Sequence, residues 1–220
     1  MEKLLERFAF HPSNALYLKD PLSSSVGMQI LASAVPMLQS TGLEGLTFKK
    51  LAFEMKSTEA TIYRYFSNKQ QLLMYSMSIY SAALQMKMIL TTSNIAEPKE
   101  KLRAAIKSLL EVPKRDSLLE GMRMSHLHAI WCTEMPKHMD GNLAENSQRK
   151  AWYQDITDLV ARLKEVMGAA CETRKCSDYQ CWMLLEWTQR YNHPDRNNLP
   201  FKADKTTEEE FVESLIQMFV

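Results

Sequence analysis

Apolar residues recur every three or four positions along most of the chain, which is the spacing of one face of an α-helix. Met28, Leu31, Val35 and Leu38 form such a stripe. Glycine is scarce, and no β-branched run alternates with polar residues over the length of a strand. The pattern therefore predicts an all-α fold, with helices at about 27–41, 47–54, 58–65, 68–91, 98–111, 116–133, 144–172, 177–192 and 207–219.

Capping signals and breaks delimit these helices. Ser67, Ser177 and Thr207 are each followed three residues later by Gln or Glu, which is the spacing of a capping box. Pro36 lies inside the first stripe, where the loss of a backbone hydrogen bond predicts a kink or a late helix start. Segments rich in Pro, Gly, Asn or Asp predict breaks at 41–45, 96–100, 135–142 and 193–204.

The short helices at 47–54 and 58–65 have the arrangement that places a second helix in the DNA major groove. Thr47 is a cap for the first of them. Ile62 and Phe66 lie one turn apart and should face the core, which leaves the other positions of the second helix for solvent or a groove. An ordinary amphipathic helix pair is the alternative that this pattern leaves open.

Residues 30–73 resemble the DNA-binding domain of the TetR family of bacterial transcriptional regulators. The matching positions are Gly42 in a turn, Thr47 before the second helix, the Thr-Ile-Tyr-Arg-Tyr-Phe run at 61–66, and Lys69 in the fourth helix. The resemblance implies an N-terminal helix-turn-helix DNA-binding domain, followed by a larger helical ligand-binding and dimerisation domain. We expect an arm at 1–26, the helix-turn-helix domain at 27–77 and the larger domain at 78–220.

The same resemblance implies which residues face DNA. Thr47 and Lys69 are expected to hold phosphates, and Tyr63 to pack against the DNA backbone. The residues expected to lie nearest the bases are Thr58, Ala60, Thr61 and Arg64. The charge and position of Lys69 suit a phosphate, and the guanidinium of Arg64 can make two parallel hydrogen bonds to guanine. The full set of expected DNA-binding residues is Thr47, Lys56, Thr58, Ala60, Thr61, Tyr63, Arg64 and Lys69.

Two residues depart from the family pattern. Lys56 stands where the family usually has Gly in the turn, and it is strained there if its φ is positive. Glu59 places a negative charge at the start of the recognition helix. Residues 27–77 carry five basic and three acidic side chains, a net charge of +2, which is modest for a DNA reader. The competing interpretation is an all-α binding or scaffold protein of the same fold that has lost DNA recognition.

A Met-rich segment at 118–135 suggests where a small molecule could bind. Methionine side chains adapt to irregular apolar shapes, and a mostly apolar pocket is typical of a ligand site. We expect Met122, His126, Trp131 and Trp152 to border a site for a small-molecule inducer. Ordinary core packing is the alternative for each of them.

Neither a metal site, a cofactor nor an enzyme is predicted. His126 and His128 are two residues apart, which lacks the four-residue spacing of helical zinc sites. The cysteines have no recognised ligand spacing, and no nucleophile–base motif or phosphate-binding glycine loop occurs. A buried cluster of His126, His128 and Glu134 in a cleft would revive the enzyme hypothesis.

The last helices predict a homodimer. The helix at 177–192 carries apolar groups on more than one side, and 207–219 has an apolar face with Phe211, Leu215 and Met218. In the TetR family such helices form the dimer interface, and a dimer matches a palindromic operator in duplex DNA. No stretch approaches eighteen apolar residues, so we expect a cytoplasmic protein that does not enter a membrane.

Overall fold

The computed structural model describes residues 12–111, 122–139, 147–171, 175–191 and 207–219. Within these ranges the regular structure is helical and no β-strand occurs, so the predicted all-α class is confirmed. The α-helices of the described residues are α1 (Ser25–Gly45), α2 (Phe48–Glu54), α3 (Glu59–Tyr63), α4 (Lys69–Thr92), α5 (Pro98–Leu110), α6 (Met124–Met139), α7 (Ser147–Ala170), α8 (Asp178–Tyr191) and α9 (Glu208–Phe219).

The chain divides into two compact units. The first unit contains the described residues of 1–82 and 113–156, and the second contains those of 83–112 and 157–220. Two of the three boundaries between the units fall inside α4 and α7, and the third, between residues 112 and 113, lies outside the described residues. The domain limits expected from the sequence, at residues 26 and 77, stay a prediction.

In the first unit, α1 lies against α6 and against a 3-10 turn at Pro21–Ser23. A Cβ at Gly27 would lie 2.2 Å from the carbonyl oxygen of Pro21, so only glycine allows this approach of α1 to the turn. The apolar stripe of α1 is fully buried at Ile30, Leu31, Ala34, Val35 and Leu38.

The described part of the N-terminal arm packs on the helix-turn-helix. The Leu18 N–H donates to the carbonyl oxygen of Tyr65 at 2.7 Å. The side-chain amide of Gln71 donates to the carbonyl oxygen of Ala15 at 3.1 Å. The arm thus supports the end of the recognition segment and the first turn of α4, while residues 1–11 lie outside the described residues.

In the second unit, α5 packs against α8 and α9. The buried side-chain amide of Gln189 donates to the carbonyl oxygen of Leu109 at 2.9 Å. Lys107 of α5 pairs with Glu209 of α9 at the surface. These contacts connect both C-terminal helices to α5.

Two of the three predicted capping boxes are confirmed. The Ser177 N–H donates to Gln180 Oε1 at 2.9 Å, and the Gln180 N–H donates to Ser177 Oγ at 3.2 Å. Thr207 and Glu210 make the same exchange at 2.8 and 3.3 Å. Both pairs satisfy N–H groups that a helix start would leave unpaired.

The box predicted at Ser67 is wrong. The cap of α4 is Asn68, whose Oδ1 accepts the Gln71 N–H at 2.8 Å. Gln71 Oε1 in turn accepts the Ser67 N–H at 2.7 Å. The helix therefore begins at Lys69, because the backbone N–H that is capped belongs to Gln71, three residues after Asn68.

Of the kink or late helix start predicted at Pro36, the late start is wrong, and the kink stays a prediction. α1 begins at Ser25 and continues through the proline, and its one non-helical residue is Gly42. A proline inside a helix removes one hydrogen bond, but the buried stripe around Pro36 outweighs that loss.

The limits predicted for the sixth helix, 116 and 133, are also wrong. α6 begins at Met124, so residues 122 and 123 are not helical, and it continues through Pro136 to Met139 instead of stopping at 133. Residues 116–121 and 140–142 of the predicted helix and break lie outside the described residues, as does the predicted break at 193–204.

Candidate nucleic-acid interface

α2 is the first helix of the predicted pair. Thr47 Oγ1 accepts the Lys50 N–H at 3.2 Å and caps the helix, as predicted. Lys50 Nζ donates to the carbonyl oxygen of Gly45 at 2.9 Å. Phe48, Leu51 and Ala52 are buried, while Thr47 stays exposed. The local sequence thus places Thr47 at the surface, immediately before the first helix of the motif.

The turn after α2 brings the chain back toward α3. Lys56 has a φ of +51°, the left-handed conformation that the sequence suggested for this position. The Ser57 N–H donates to the carbonyl oxygen of Ala52 at 2.8 Å, and the Lys56 N–H donates to that of Phe53 at 3.1 Å. This pattern closes a helix C-terminus in a Schellman-like turn, at which glycine is the usual residue.

α3 is the recognition helix of the predicted motif. Ile62 is fully buried, and so is Phe66 beyond the helix end, as the spacing predicted. Thr58 Oγ1 lies 3.1 Å from Thr61 Oγ1 and makes no capping bond to the α3 backbone. The exposed side chains of this segment are Thr58, Glu59, Ala60, Tyr63 and Arg64.

An aromatic contact joins the two helices. The Tyr63 ring meets the Phe48 ring edge-on, with centroids 5.0 Å apart. Such edge-to-face pairs contribute about 0.5–1.5 kcal/mol beyond the burial of their area. The contact fixes the orientation of α3 against α2, although half of Tyr63 stays exposed.

Lys69 makes a contact that the sequence did not predict. Its Nζ donates to the carbonyl oxygen of Leu43 at 2.9 Å and lies 4.0 Å from the carboxylate of Glu44. The first residue of α4 is thereby tied to the end of α1. Of the eight expected DNA-binding residues, Thr61 and Lys69 are half-buried and the other six are exposed.

The four residues expected to bind a small molecule belong to the first unit. Met122, Trp131 and Trp152 are buried, and His126 is half-buried. The Trp131 ring centroid lies 5.5 Å from that of Tyr80. The buried indole N–H groups of Trp131 and Trp152 have no hydrogen-bond acceptor within the part of the chain that the structure describes.

Glu134 of α6 meets the turn before α2. A Cβ at Gly42, whose φ is +64°, would lie 2.9 Å from Glu134 Oε1. The buried carboxylate accepts from Lys137 Nζ at 2.8 Å and lies 3.7 Å from His138 Nε2. Burial lowers the pKa of His138, although the Glu134 carboxylate acts in the opposite direction. The sequence marked Glu134 only as an acid near the histidines, because its neighbour at Gly42 is distant along the chain.

One of the histidines that the enzyme hypothesis would require lies beside a cysteine on α6. His128 is buried with its Nε2 3.5 Å from Cys132 Sγ, one helical turn away. Within the described ranges, no three His, Cys, Asp or Glu side chains are grouped so that they could hold a metal ion. None of the described helices is long and apolar enough to cross a membrane.

Residues 30–75 match a family model described as bacterial regulatory proteins, tetR family. The match runs from α1 into the first turns of α4 and includes every position on which the sequence resemblance rests. No curated protein matches the chain significantly.

Solved structures share the fold of the whole chain at low identity. AibR in complex with isovaleryl coenzyme A and operator DNA is 19% identical, with a TM-score of 0.60 over 86% of this chain and 95% of that one. The ketosteroid transcriptional regulator KstR2 of Mycobacterium tuberculosis is 15% identical, with a TM-score of 0.61 over 90% and 95%. The superantigen PfiT is 18% identical, with a TM-score of 0.61 over 91% and 98%. These likenesses establish the fold.

Proposed function

We propose that this chain, whose residues 30–75 match the tetR family model, is a homodimeric transcriptional regulator of that family and binds a palindromic operator. It acts as a repressor, and a small, mostly apolar molecule releases it from DNA. The observation that carries the proposal is that the recognition segment, residues 58–66, has one buried face and one exposed face. Ile62 and Phe66 anchor it, while Tyr63 and Arg64 project outward.

DNA binding is tested with duplex DNA from upstream of the protein's own coding sequence, by fluorescence anisotropy at several salt concentrations. Arg64→Ala should weaken binding by roughly 1–3 kcal/mol and relax specificity at one base pair. Lys69→Ala should weaken binding to all sequences and reduce the salt slope by about 0.9 per half-site.

Lys99→Ala is the matched control, since it removes an exposed lysine from α5 in the second unit. It should leave binding unchanged. Circular dichroism spectra should be the same for all variants. A wild-type protein without salt-sensitive binding to this DNA would contradict the proposal.

An apolar face of the second unit supports the homodimer. Tyr179, Met183 and Trp187 follow one another at four-residue intervals on α8. Tyr179 is 70% exposed, Met183 and Trp187 are half-buried, and Met218 on α9 is 55% exposed. One recognition helix reads only a few base pairs, so a second copy about 34–36 Å away is needed for specific binding.

Leu215, offered by the sequence as part of this face, is only 2% exposed in the single chain. Asp at that position would disrupt the unit itself, so the test uses Met218→Asp and Tyr179→Asp. Both variants should shift the protein from dimer to monomer in size-exclusion chromatography with light scattering. Leu90→Asp, at a site on α4 that is 54% exposed, is the control and should stay dimeric.

The buried indole groups support one class of small molecule. A buried N–H without an acceptor costs free energy, so a ligand with an acceptor oxygen gains by reaching Trp131 or Trp152. Isovaleryl coenzyme A is named with AibR and a ketosteroid with KstR2, and both compounds carry a carbonyl group, so they serve as probes. The ligand proposed for this protein is a small, mostly apolar molecule with a carbonyl group.

Tryptophan fluorescence with isovaleryl coenzyme A, a ketosteroid and the steroid's carbonyl-free analogue tests this ligand. A carbonyl probe should bind, and its analogue should bind more weakly. Trp131→Phe or Trp152→Phe should reduce that difference by about 0.5–1.5 kcal/mol. Equal binding of ketosteroid and analogue, or no binding of either carbonyl probe, would contradict the assignment.

The response to ligand passes along α6 to the helix-turn-helix. Trp131 and Glu134 are one turn apart on α6, and Glu134 lies against Gly42. A ligand that shifts α6 thus presses on the turn that precedes α2. Glu134→Ala should leave DNA affinity without ligand nearly unchanged and reduce the effect of ligand on it, because the coupling free energy links the two sites.

The second candidate is a binding or scaffold protein that has lost DNA recognition. It is favoured by the exposed acid Glu59 on the recognition helix and by the net charge of only +2 over residues 27–77. The name of the superantigen PfiT does not describe a regulator, although its fold is similar. Absence of DNA binding by a folded dimer would decide for this alternative.

A further inference from the structure

Two buried thiols lie in contact where α7 is followed by α8. Cys171 Sγ is 3.1 Å from Cys176 Sγ. Cys171 directly follows α7, and Cys176 precedes α8 by two residues, so neither backbone is held in a regular helix. Cys171 Sγ also lies 3.4 Å from the carbonyl oxygen of Phe219, the last residue of α9.

The separation of these sulfur atoms is only about 1 Å greater than a disulfide bond, which measures about 2.05 Å. A bond between them therefore requires the two sulfur atoms to approach by about 1 Å. All four cysteines of the chain are free thiols and buried. The sequence analysis assigned a role to none of them.

We propose that Cys171 and Cys176 form a redox-active pair that a peroxide converts into a disulfide. One thiolate attacks a peroxide oxygen, the O–O bond breaks, hydroxide or alkoxide leaves, and a sulfenic acid forms. The other thiol then attacks that sulfur, the S–O bond breaks, and the oxygen leaves as water. The two thiols are oxidised by two electrons, and the peroxide is reduced by two.

The protein controls the two steps differently. Burial, together with the contact with Cys171, raises the pKa of Cys176 to about 12, while Lys164 acts to lower it. The Cys176 thiolate is thus scarce at neutral pH, and its attack on a peroxide is slow. The second step is fast, because the resolving sulfur is already in contact and needs no encounter.

Cys181 is the natural competitor within the second unit. It is fully buried, and burial raises its pKa to about 11, with Lys164 lowering and Asp178 raising it. Only Cys171 and Cys176 are in sulfur–sulfur contact in the described structure, so the bond should form between them.

Formation of the disulfide has a consequence for α9. It removes the Cys171 S–H that faces the carbonyl oxygen of Phe219. The end of α9 therefore loses its contact with Cys171, while the Phe219 ring still lies 5.9 Å from that of Trp187 on α8. Oxidation thereby acts on an apolar part of the second unit, whether or not the protein binds DNA.

Peptide mapping tests the proposal on the native full-length protein. The protein is treated with excess hydrogen peroxide, denatured, alkylated and digested with trypsin without reductant. Trypsin cuts after Lys164, Arg174, Lys175 and Arg190, so the two cysteines fall in separate peptides, 165–174 and 176–190. The expected product is these peptides joined, lighter by two hydrogen atoms than their sum and separated by reductant.

Fragmentation of the joined peptides should place the bond at Cys176 and not at Cys181. Cys181→Ser should retain the joined product, whereas Cys171→Ser and Cys176→Ser should each lose it. The yield at a fixed early time should rise about tenfold per pH unit between pH 7 and 9. Alkylation of both Cys171 and Cys176 after peroxide treatment, or a bond to Cys181 in the wild-type protein, would overturn the proposal without any variant.

Discussion

Lys56 occupies a backbone conformation that glycine adopts more easily, and replacing it should stabilise the protein. Its φ is +51°, and the turn around it is fixed by hydrogen bonds to the carbonyl oxygens of Ala52 and Phe53. The left-handed region costs an L-residue roughly 1–2 kcal/mol, because Cβ crowds the neighbouring carbonyl oxygen. Lys56→Gly removes that crowding and keeps both hydrogen bonds.

The gain is reduced by the greater freedom of glycine in the unfolded chain, about 0.5–1 kcal/mol. The net stabilisation should therefore be about 0.5–1 kcal/mol. For a protein of this size each kcal/mol shifts the melting temperature by about 2–4 °C. Thermal unfolding followed by circular dichroism should register a rise of about 1–4 °C.

Two controls separate conformation from charge. Lys56→Ala removes the same charge but retains Cβ, so its melting temperature should match the wild type. Lys49→Gly places glycine inside α2 and should destabilise by about 0.8–1.0 kcal/mol, which is the opposite sign. Both Lys56 variants should weaken DNA binding equally if the ammonium group meets a phosphate. Equal melting temperatures for Lys56→Gly and Lys56→Ala would refute the left-handed assignment.

Gly42→Ala should destabilise by roughly 1–3 kcal/mol in urea unfolding, because its φ of +64° and ψ of −178° belong to a region that essentially only glycine adopts. Adding Glu134→Ala should recover only the part of the lost stability that comes from crowding between the new Cβ and Glu134 Oε1, which would lie 2.9 Å apart. The pKa of His138 is lowered in the folded protein, so near pH 6.5 the unfolded chain binds more protons than the folded one. The free energy of unfolding should therefore fall as the pH drops below 6.5, and it should fall less in His138→Gln. Asn68→Ala should cost about 1 kcal/mol of stability, measured by urea unfolding, whereas Ser67→Ala should cost less because Ser67 is not the cap.

The sequence predicted what depends on neighbours a few residues apart. The burial of Ile62 and Phe66 and the caps at Ser177 and Thr207 follow from side chains within one helical turn. Such patterns repeat with the period of the helix, so composition and spacing are enough to find them. The same reasoning left a late helix start open at Pro36. That alternative is wrong, because burial of the surrounding stripe is a tertiary effect.

Contacts between distant residues could not be read from local patterns. Glu134 meets Gly42 from another helix, and the motif that marked Gly42 as a turn carries no information about that neighbour. Cys171 and Cys176 are close in sequence, but a spacing of five fits neither a helix face nor a ligand motif. Only the end of α7 and the start of α8 bring their sulfur atoms together.

Lys69 illustrates why a count of charges misjudges a binding surface. The count of +2 over residues 27–77 treats Lys69 as a free cation, yet its Nζ is held by the carbonyl oxygen of Leu43. A carbonyl oxygen orients an ammonium group without cancelling its charge, and Glu44 at 4.0 Å is exposed and screened. A free lysine loses up to about 2 kcal/mol of rotamer entropy when it is fixed on a phosphate. Because Leu43 has already restricted Lys69 at the start of α4, less of that loss falls on the binding step, and a modest net charge is then compatible with useful affinity.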